Sequence, residues 1–278
     1  MRIAQLEGRT VLLTAEGAVD VPAELSTDLY ARWDDLRTWS ATATAAAATQ
    51  ARPYDPAALQ SPVPAPRQVF AVALNYRPHT AEAGYEDPEQ PLVFTKFPTC
   101  LTGPRTVIEL PPGNVDWELE LVAVIGRETR HVPVEKAWDS VAALTVGQDL
   151  SERVAQLAGR PAQFSLAKSH PGFGPVGPAL VSLDEIEDRD DLELICELNG
   201  EVVQHDRTSG MIFPIPRLVS YLSAFCTLLP GDLIFTGTPA GVGNRRTPRR
   251  FLTPDDELVS RITGVGEMRH HFRRATTR

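Results

Sequence analysis

The stretch "NVDWELELVAVIG", residues 114–126, decides the fold and raises a problem of charge. Asp116, Glu118 and Glu120 occupy alternate positions, and in a strand their carboxylates share one face. Same-face neighbours lie about 6–7 Å apart, and two unit charges at that distance repel by about 2–3 kcal/mol at an effective dielectric of 20. The run "LVAVIG", residues 121–126, then has no charged side chain, which indicates a strand buried on both faces. Something other than solvent therefore has to neutralise the acids.

The composition is that of an ordinary soluble protein, with 278 residues, 42% hydrophobic and 23% charged. A net charge of −9 argues against nucleic acid or an anionic membrane as partner. The basic clusters "NRRTPRR" (244–250) and "RHHFRR" (269–274) are short, and we expect a solvated loop and a solvated tail. Because no apolar run approaches the length of a membrane span and the N-terminus lacks an apolar signal core, we expect a cytoplasmic protein.

The first 66 residues are expected to form a small α+β domain with a connector. Two or three short strands with intervening glycines come first, and a helical stripe follows. A proline-rich stretch up to residue 66 then predicts an extended connector. We therefore place a small domain at 1–66 and the main domain at 67–278.

The main domain is predicted to be mainly β with some α. Six apolar runs have strand character, and "NG" at 199–200 between two of them is a two-residue hairpin signal. A few helices are expected, among them one at "FPIPRLVSYLSAF", residues 213–225, with its first turn set by prolines. The strands and helices do not alternate, so a doubly wound sheet is not expected.

Two readings of the acidic pairs are possible. Glu118 and Glu120 could surround a hard divalent cation, or each could pair with an arginine or lysine, and the local motif favours neither. Asp149 favours the cation, because it ends another apolar strand, "ALTVGQDL", and could point at the same place. Oxygen ligands without nearby His or Cys suit Mg²⁺ or Mn²⁺ better than zinc. Asp116 is left outside the ligand set, as an exposed acid or one behind the ligands.

Three further features could carry chemistry. His79 and Glu82 are three residues apart, so on a helical turn they could form a hydrogen-bonded base, although for the pair taken alone a plain surface contact is the commoner arrangement. Lys168 precedes a Gly/Pro-rich loop and could meet an anionic substrate or be a surface amine. The glycine-rich turn "FTGTPAGVG", residues 235–243, lacks the lysine of a nucleotide-phosphate loop and suits a substrate carboxylate better.

The chain resembles the fumarylacetoacetate hydrolase family from about residue 68 to 266. Six blocks occur in that family's order, and together they are more specific than any single motif. They are "LNYRPHTAEAG" (74–84), "PLVFTKFPTCLTGP" (91–104), "DWELELVAVIG" (116–126), "KSHPGFGPVGP" (168–178), "LNGEVVQHDRTSGMIFPIPRLVSYLS" (198–223) and "LLPGDLIFTGTPAGVG" (228–243). The resemblance implies a mixed β-sandwich roll, a homodimer, and Mg²⁺ or Mn²⁺ over which a 2-oxo acid chelates.

The resemblance also implies a metal site. By position, Glu118, Glu120 and Asp149 are similar to the family's three metal carboxylates. Arg153 matches an arginine that supports those ligands from behind. On this reading the acids face inward because a cation lies among them.

The remaining implied residues surround a substrate. His79 and Glu82 match the dyad on a lid segment of the acylpyruvase-like members, and Lys168 resembles the active-site lysine. Gln156 resembles a substrate-facing glutamine, and Thr238 falls in a turn that resembles the carboxylate-binding loop.

Three departures from the family pattern affect the pocket and the lid. The usual "NDVTARD" is "QDLSERV" here (148–154), which gains Glu152 and ends in Val154. The usual "KSFDTF" is "KSHPGF" (168–173), and Pro78 replaces the acid of "NYRDH".

The implied function is metal-dependent hydrolysis of a C–C bond in a 2-oxo or 1,3-dioxo acid of the acylpyruvate or fumarylpyruvate type. Decarboxylation of oxaloacetate, or isomerisation or hydration of a 2-hydroxydienoate from aromatic catabolism, would use the same residues. A binding protein that keeps the fold and the cation without turnover, or a biosynthetic enzyme that has reused the site, is a further alternative.

Overall fold

The computed structural model describes residues 1–275, in which strands dominate and helices are short. The strands are β1 Arg2–Leu6, β2 Arg9–Thr14, β3 Gly17–Asp20, β4 Leu59–Gln60, β5 Val69–Ala73, β6 Leu92–Thr95, β7 Leu101–Thr102, β8 Arg105–Leu110, β9 Val115–Asp116, β10 Leu119–Ile125, β11 Val141–Gln148, β12 Ser151–Glu152, β13 Gly174–Ser182, β14 Glu193–Leu198, β15 Glu201–Arg207, β16 Leu233–Phe235, β17 Glu257–Ile262 and β18 Gly266–Arg274. The helices are α1 Ala23–Ser26, α2 Trp33–Ala45, α3 Ala47–Gln50, α4 Arg77–Ala83, α5 Arg153–Leu157 and α6 Ile215–Phe225. The predicted fold class, mainly β with some α, is confirmed.

The strands form one large sheet, one sheet of five strands and a short pair. The large sheet has the order β3-β2-β1-β13-β11-β10-β16-β5-β6, with β4 added at β1 and β7 at β13. The five-stranded sheet has the order β15-β14-β17-β18-β8, and β9 pairs with β12. Contacts of β10, β11 and β13 with β14, β17 and β18 bring the two larger sheets together.

Strand β10 is buried on both faces because each face meets a different layer. Leu121 and Ala123 belong to the apolar core that also contains Leu194 of β14. Val122 and Val124, on the other face, belong to a second core with residues of α2. A fully buried valine or leucine contributes about 1.5–3 kcal/mol, so the continuous apolar run reflects two layers of packing. Glu118, which directly precedes β10, and Glu120, its second residue, stand on the same face as Val122, at the start of the strand.

The N-terminal segment continues the large sheet. Three short strands are present, as predicted, and β1 pairs with β13 through Arg2↔Val181 and Ile3↔Leu180. Helix α2 then buries Leu36. The division at residue 66 remains a prediction.

Local signals for turns and helices are confirmed. Residues 199 and 200 join β14 to β15, and both have positive φ, 54° and 81°, as the predicted hairpin turn requires. Helix α6 begins directly after Pro214. No helix within residues 1–275 has the length and hydropathy needed to cross a membrane.

One of the two basic clusters is not what the sequence suggested. Residues 269–274, expected to be a solvated tail, lie in β18 between β17 and β8. His270 and Phe272 point inward and are buried, because alternate residues of a paired strand face opposite sides. The expectation counted charges and missed this alternation. The cluster at 244–250 does lie in a loop, with Arg245 exposed and Arg250 paired with Asp256.

Candidate metal centre and substrate cavity

The register of two antiparallel strands brings the predicted metal acids together. Leu119 of β10 pairs with Gln148 of β11, so Glu118 lies opposite Asp149, and the Asp149 amide donates to the Glu118 carbonyl over 2.9 Å. Glu120 is two residues further along the same face of the strand. Each of the three carboxylates offers an oxygen within 4.8 Å of the others, and all three side chains are buried. The arrangement is a compact, all-oxygen cluster.

Ion pairs already hold two of these acids. Lys168 Nζ donates to Glu118 Oε2 over 2.6 Å and to Asp149 Oδ2 over 2.7 Å. An Arg153 guanidinium nitrogen donates to Glu118 Oε1 over 2.7 Å. Burial alone would favour the neutral acid, but the charges of Lys168 and Arg153 outweigh it and lower the pKa of Glu118 to about 2. The two alternatives taken from the sequence are therefore compatible, because acids that form ion pairs also belong to the carboxylate cluster.

Glu120 differs from its neighbours because no cationic side chain within residues 1–275 forms a salt bridge with it. It is 1% exposed, and its Oε2 accepts a hydrogen bond of 2.8 Å from the Gly237 amide. Burial, followed by the charges of Asp149 and Glu118, raises the pKa of Glu120 well above its usual range. The cluster thus contains one acid whose charge a bound cation would neutralise.

The donor set fits a hard divalent cation. Three carboxylates supply only oxygen, which is the ligand type that Mg²⁺ and Mn²⁺ prefer. Each ionised carboxylate has about four lone-pair directions, so the hydrogen bonds from Lys168 and Arg153 leave acceptor capacity on Glu118 and Asp149. No thiol or imidazole belongs to the cluster found within residues 1–275, which agrees with the preference against zinc.

Arg153 lies behind the cluster, where it connects three groups. Its Nε donates to Asp116 Oδ1 over 2.6 Å, and another guanidinium nitrogen donates to Gln156 Oε1 over 2.9 Å. Asp116 is fully buried and also accepts from the Asn244 amide over 2.7 Å. The prediction that Asp116 could be exposed is therefore wrong. The alternative prediction, that Asp116 lies behind the ligands, agrees with its position. Its role is to fix the guanidinium that contacts Glu118.

His79 and Glu82 form the predicted dyad on α4. His79 Nδ1 lies 3.1 Å from Glu82 Oε2, and Glu82 Oε1 accepts from the Gly241 amide over 3.0 Å. Pro78 occupies the first turn of α4, where a missing amide proton leaves no helical hydrogen bond unmade. This departure from the family pattern is thus compatible with the helix that carries the dyad.

A single cavity of about 790 Å³ collects most of the predicted site residues. Its lining includes His79, Glu118, Arg153, Gln156, Lys168 and Thr238. Glu82 and Asp149 lie outside the lining and hydrogen-bond to His79 and Lys168, which belong to it, and Glu120 lies within 4.8 Å of the lining residue Glu118 in the carboxylate cluster. All nine predicted residues therefore belong to one connected region.

Thr238 is held differently from what a carboxylate-binding hydroxyl would need. Its Oγ1 donates to the Leu119 carbonyl over 2.9 Å and accepts from Gln204 Nε2 over 2.8 Å. The single hydroxyl proton is therefore already engaged by the backbone of β10. In this arrangement Thr238 fixes the glycine-rich turn to the strand of metal acids.

The two remaining sequence departures differ in their relation to the site. Glu152 caps α5, accepting from the amides of Val154 and Ala155 over 2.9 and 2.7 Å. Helix α5 carries Arg153 and Gln156, so the gained acid helps to position both. Residues 170–172 do not line the cavity.

Sequence reasoning missed Lys96, which is 1% exposed. Its Nζ donates to Asp149 Oδ1 over 2.6 Å, to the Phe173 carbonyl over 3.2 Å and to the Lys168 carbonyl. The lysine thus ties a metal acid to the segment that carries Lys168. The available signal was a lone lysine in the apolar run "PLVFTKFPTCL" (91–101), since a lysine that is buried needs a partner.

Comparisons with known proteins agree with the fold and identify the family. A profile of the family described as fumarylacetoacetate (FAA) hydrolase C-terminal matches residues 68–273. Oxaloacetate tautomerase FAHD2A, mitochondrial, from Bos taurus is 40% identical over 208 residues, which are 74% of this chain and 66% of that protein, slightly less than two thirds of its length.

Two solved structures superpose over nearly the whole chain. A Mycobacterium smegmatis protein provisionally named HpcE is 52% identical, with a TM-score of 0.89 and coverage of 99% of this chain and 100% of that one. Maleylpyruvate hydrolase from Sphingobium sp. SYK-6, solved with manganese(II) and pyruvate, is 27% identical, with a TM-score of 0.82 and the same coverage. The profile match over most of the chain, together with these relatives, shows that the chain belongs to the fumarylacetoacetate hydrolase family.

Proposed function

We propose that the chain is a divalent-metal-dependent enzyme acting on a 2-oxo acid, with Glu118, Glu120 and Asp149 holding Mg²⁺ or Mn²⁺. The observation that carries the proposal is the cluster of three buried carboxylates within 4.8 Å, behind a cavity that also contains His79. When bound, the cation would act as a Lewis acid toward the 2-oxo and carboxylate oxygens of the substrate.

The charge balance of the site supports a cation and an anionic substrate. If all groups are ionised, four buried carboxylates face three buried cations, leaving one net negative charge. A divalent cation changes this balance to one net positive charge, which suits an acid. The groups are Asp116, Glu118, Glu120 and Asp149 with Lys96, Arg153 and Lys168.

His79 is the proposed general base. Its Nδ1 faces Glu82, so the tautomer that donates from Nδ1 leaves Nε2 free to take a proton. The Gly241 amide fixes the other oxygen of Glu82. The imidazole is therefore oriented by a carboxylate that is itself oriented by the backbone, the arrangement that a positioned base requires.

Lys168 and Gln156 are the proposed oxyanion donors. Lys168 uses two of its three ammonium protons on Glu118 and Asp149, which leaves one for the cavity. Gln156 accepts from Arg153 through Oε1, so its amide protons are free to donate to a substrate. Preorganised donors of this kind stabilise charge that develops during reaction.

C–C bond hydrolysis of an acylpyruvate or fumarylpyruvate is the reaction that these residues support best. His79 removes a proton from water, and the resulting hydroxide attacks the distal carbonyl, whose oxygen Lys168 and Gln156 stabilise. The C–C bond then breaks, one product leaves as a carboxylic acid, and the other forms as an enolate, whose carbon takes back the proton that His79 removed from water. Decarboxylation, or the isomerisation and hydration reactions of aromatic catabolism, would use the same enolate chemistry.

Tautomerisation of oxaloacetate is the second candidate. It is favoured by the curated relatives at 40% identity that carry this activity in their names. The reaction needs only the movement of a proton at the carbon beside the 2-oxo group, which a positioned His79 can provide. A homodimer, implied by the family resemblance, remains a prediction.

The test is turnover of acylpyruvates, fumarylpyruvate and oxaloacetate, the last for both decarboxylation and tautomerisation, in Mg²⁺, in Mn²⁺ and after EDTA. Glu118→Ala is expected to lose both metal binding and activity, whereas His79→Ala keeps the metal and loses turnover. An unchanged kcat in His79→Ala would remove the assignment of the base. A wild-type protein that binds the metal and is silent on every substrate would favour the binding-protein alternative.

A further inference from the structure

Arg245 differs from the other basic side chains that line the cavity. Arg153 pairs with Asp116 and Glu118, Lys168 pairs with Glu118 and Asp149, and His79 contacts Glu82. Arg245 also lines the cavity, but no carboxylate within residues 1–275 lies within 4.0 Å of its guanidinium.

Two of the three arginines that follow Arg245 in the loop have carboxylate partners, and the third, Arg249, does not line the cavity. Arg246 pairs with Glu201 over 3.8 Å, and Arg250 pairs with Asp256 over 2.5 Å. Neither of them lines the cavity. A guanidinium that lines a cavity and lacks a partner offers fixed donors for a carboxylate, with which arginine forms paired hydrogen bonds.

The loop that carries Arg245 is held to two buried acids of the site. The Gly237 amide donates to Glu120 over 2.8 Å, and the Asn244 amide donates to Asp116 over 2.7 Å. Arg245 directly follows this last anchor. Its backbone position relative to the acids is therefore set by the loop, and its exposed side chain lies at the opening of the cavity.

The rest of the cavity wall is largely apolar. Glu118 is the only carboxylate in the lining found within residues 1–275, and its two oxygens are already paired. Apolar lining residues include Leu92, Phe94, Leu157 and Phe164. A ligand in this space meets polar groups beside Glu118 and a second, separate cationic group at Arg245.

We propose that Arg245 binds a second carboxylate at the far end of the substrate, so that this chain selects dicarboxylic 2-oxo acids over monocarboxylic ones. The inference rests on the proposed function, because it assumes that the first carboxylate and the 2-oxo group bind beside the metal acids. It adds a selective group that the family resemblance did not assign. It also accounts for an arginine that has no carboxylate partner within residues 1–275 and stands in the wall of a largely apolar cavity.

The test is calorimetric binding of unreacted ligands in the presence of Mn²⁺. The diacids 2-oxoglutarate and 2-oxoadipate are compared with the monoacids 2-oxopentanoate and 2-oxohexanoate, for the wild type, Arg245→Met and Arg246→Met. Arg246→Met makes the same chemical change at the next position, outside the cavity. Thermal unfolding of both variants checks that they fold.

The wild type and Arg246→Met are expected to bind at least one diacid about tenfold more tightly than its monoacid. This preference is at the lower end of the range for a hydrogen bond to a charged group, because Arg245 is exposed. Arg245→Met is expected to lose this preference. If the wild type binds diacid and monoacid equally, or if Arg245→Met keeps the preference, the inference is wrong while the 2-oxo acid site stands. If the wild type binds none of the four ligands, the proposed function itself fails, and the inference fails with it.

Discussion

Lys96→Met is the substitution that tests how the metal acids are held in place. Methionine has a similar length and flexibility but no charge, so it can fill the space of the buried side chain. The change removes the donor to Asp149 Oδ1 and the donors to the carbonyls of Phe173 and Lys168. It leaves Asp149 with Lys168 as its remaining cationic partner.

The expected loss follows from what remains after the substitution. Removing one partner of a buried ion pair costs about 3–5 kcal/mol, because the other charge stays buried. Lys168 still donates to Asp149 Oδ2, and the Leu150 amide still donates to the Phe173 carbonyl. We therefore expect a cost at the lower end of this range, a decrease of about 3 kcal/mol in the free energy of unfolding.

Equilibrium urea unfolding in EDTA measures this decrease, with Lys136→Met as the control. Lys136 is exposed, so the same chemical change there is expected to alter the free energy of unfolding by less than about 0.5 kcal/mol. If Lys96→Met lies within about 1 kcal/mol of the control, the buried contacts of Nζ contribute little and the argument from burial is wrong for this site.

A second arm of the experiment adds saturating Mn²⁺. A divalent cation beside Asp149 would supply positive charge that Lys96 no longer provides, so the deficit of Lys96→Met relative to wild type should shrink. A deficit that grows with Mn²⁺ would mean that Lys96 is needed to shape the cation site rather than only to balance its charge.

Three further predictions concern other buried groups. Glu120→Gln removes one charged ligand of the metal. Saturation with Mn²⁺ at a hundredfold excess over Kd is expected to stabilise the wild type by about 2.7 kcal/mol, and this stabilisation should nearly vanish in the variant. An unchanged thermal shift in the variant would exclude Glu120 as a ligand. Burial lowers the pKa of His270 from 6.5 to about 4, so the unfolded state binds more protons between these values and stability falls as the pH decreases. Between pH 7 and pH 5 this contribution is about 2 kcal/mol, and urea unfolding of His270→Gln should show a correspondingly smaller loss; equal losses in both proteins would contradict the assignment. Tyr76→Phe removes a buried hydroxyl that has no partner within residues 1–275, so thermal or urea unfolding should show a gain of up to about 1 kcal/mol, and a loss of that size would reveal a partner for the hydroxyl.

Much of the site could be predicted because its residues stand in strong local patterns. The alternation of Glu118 and Glu120 ahead of an apolar run indicated a strand with inward acids, and the end of β11 at Gln148 placed Asp149 beside them. His79 and Glu82 are neighbours on one helical turn, so their contact needed no knowledge of the rest of the fold. Ordered blocks over some 200 residues then indicated the family.

Other groups could not be placed from local patterns. Asp116 was left as an exposed or supporting acid, and only the structure shows it buried against Arg153. Residues 269–274 were assigned by charge to a tail, whereas pairing with β17 and β8 makes them a strand. Arg245 could not be told apart from the arginines that follow it, because all of them stand in the same basic loop.

The sequence by itself predicted the strands marked by apolar runs, the hairpin, the carboxylate cluster and the dyad, because each depends on spacing along one or two neighbouring elements or on the ordered blocks of the family. The tertiary structure determined which lysine or arginine pairs with which carboxylate. Lys96 and Asp149 are 53 positions apart, and Arg153 and Asp116 are 37 positions apart. Contacts between long side chains at such separations depend on how loops and sheets pack. The periodicity of a strand or helix carries no information about that packing.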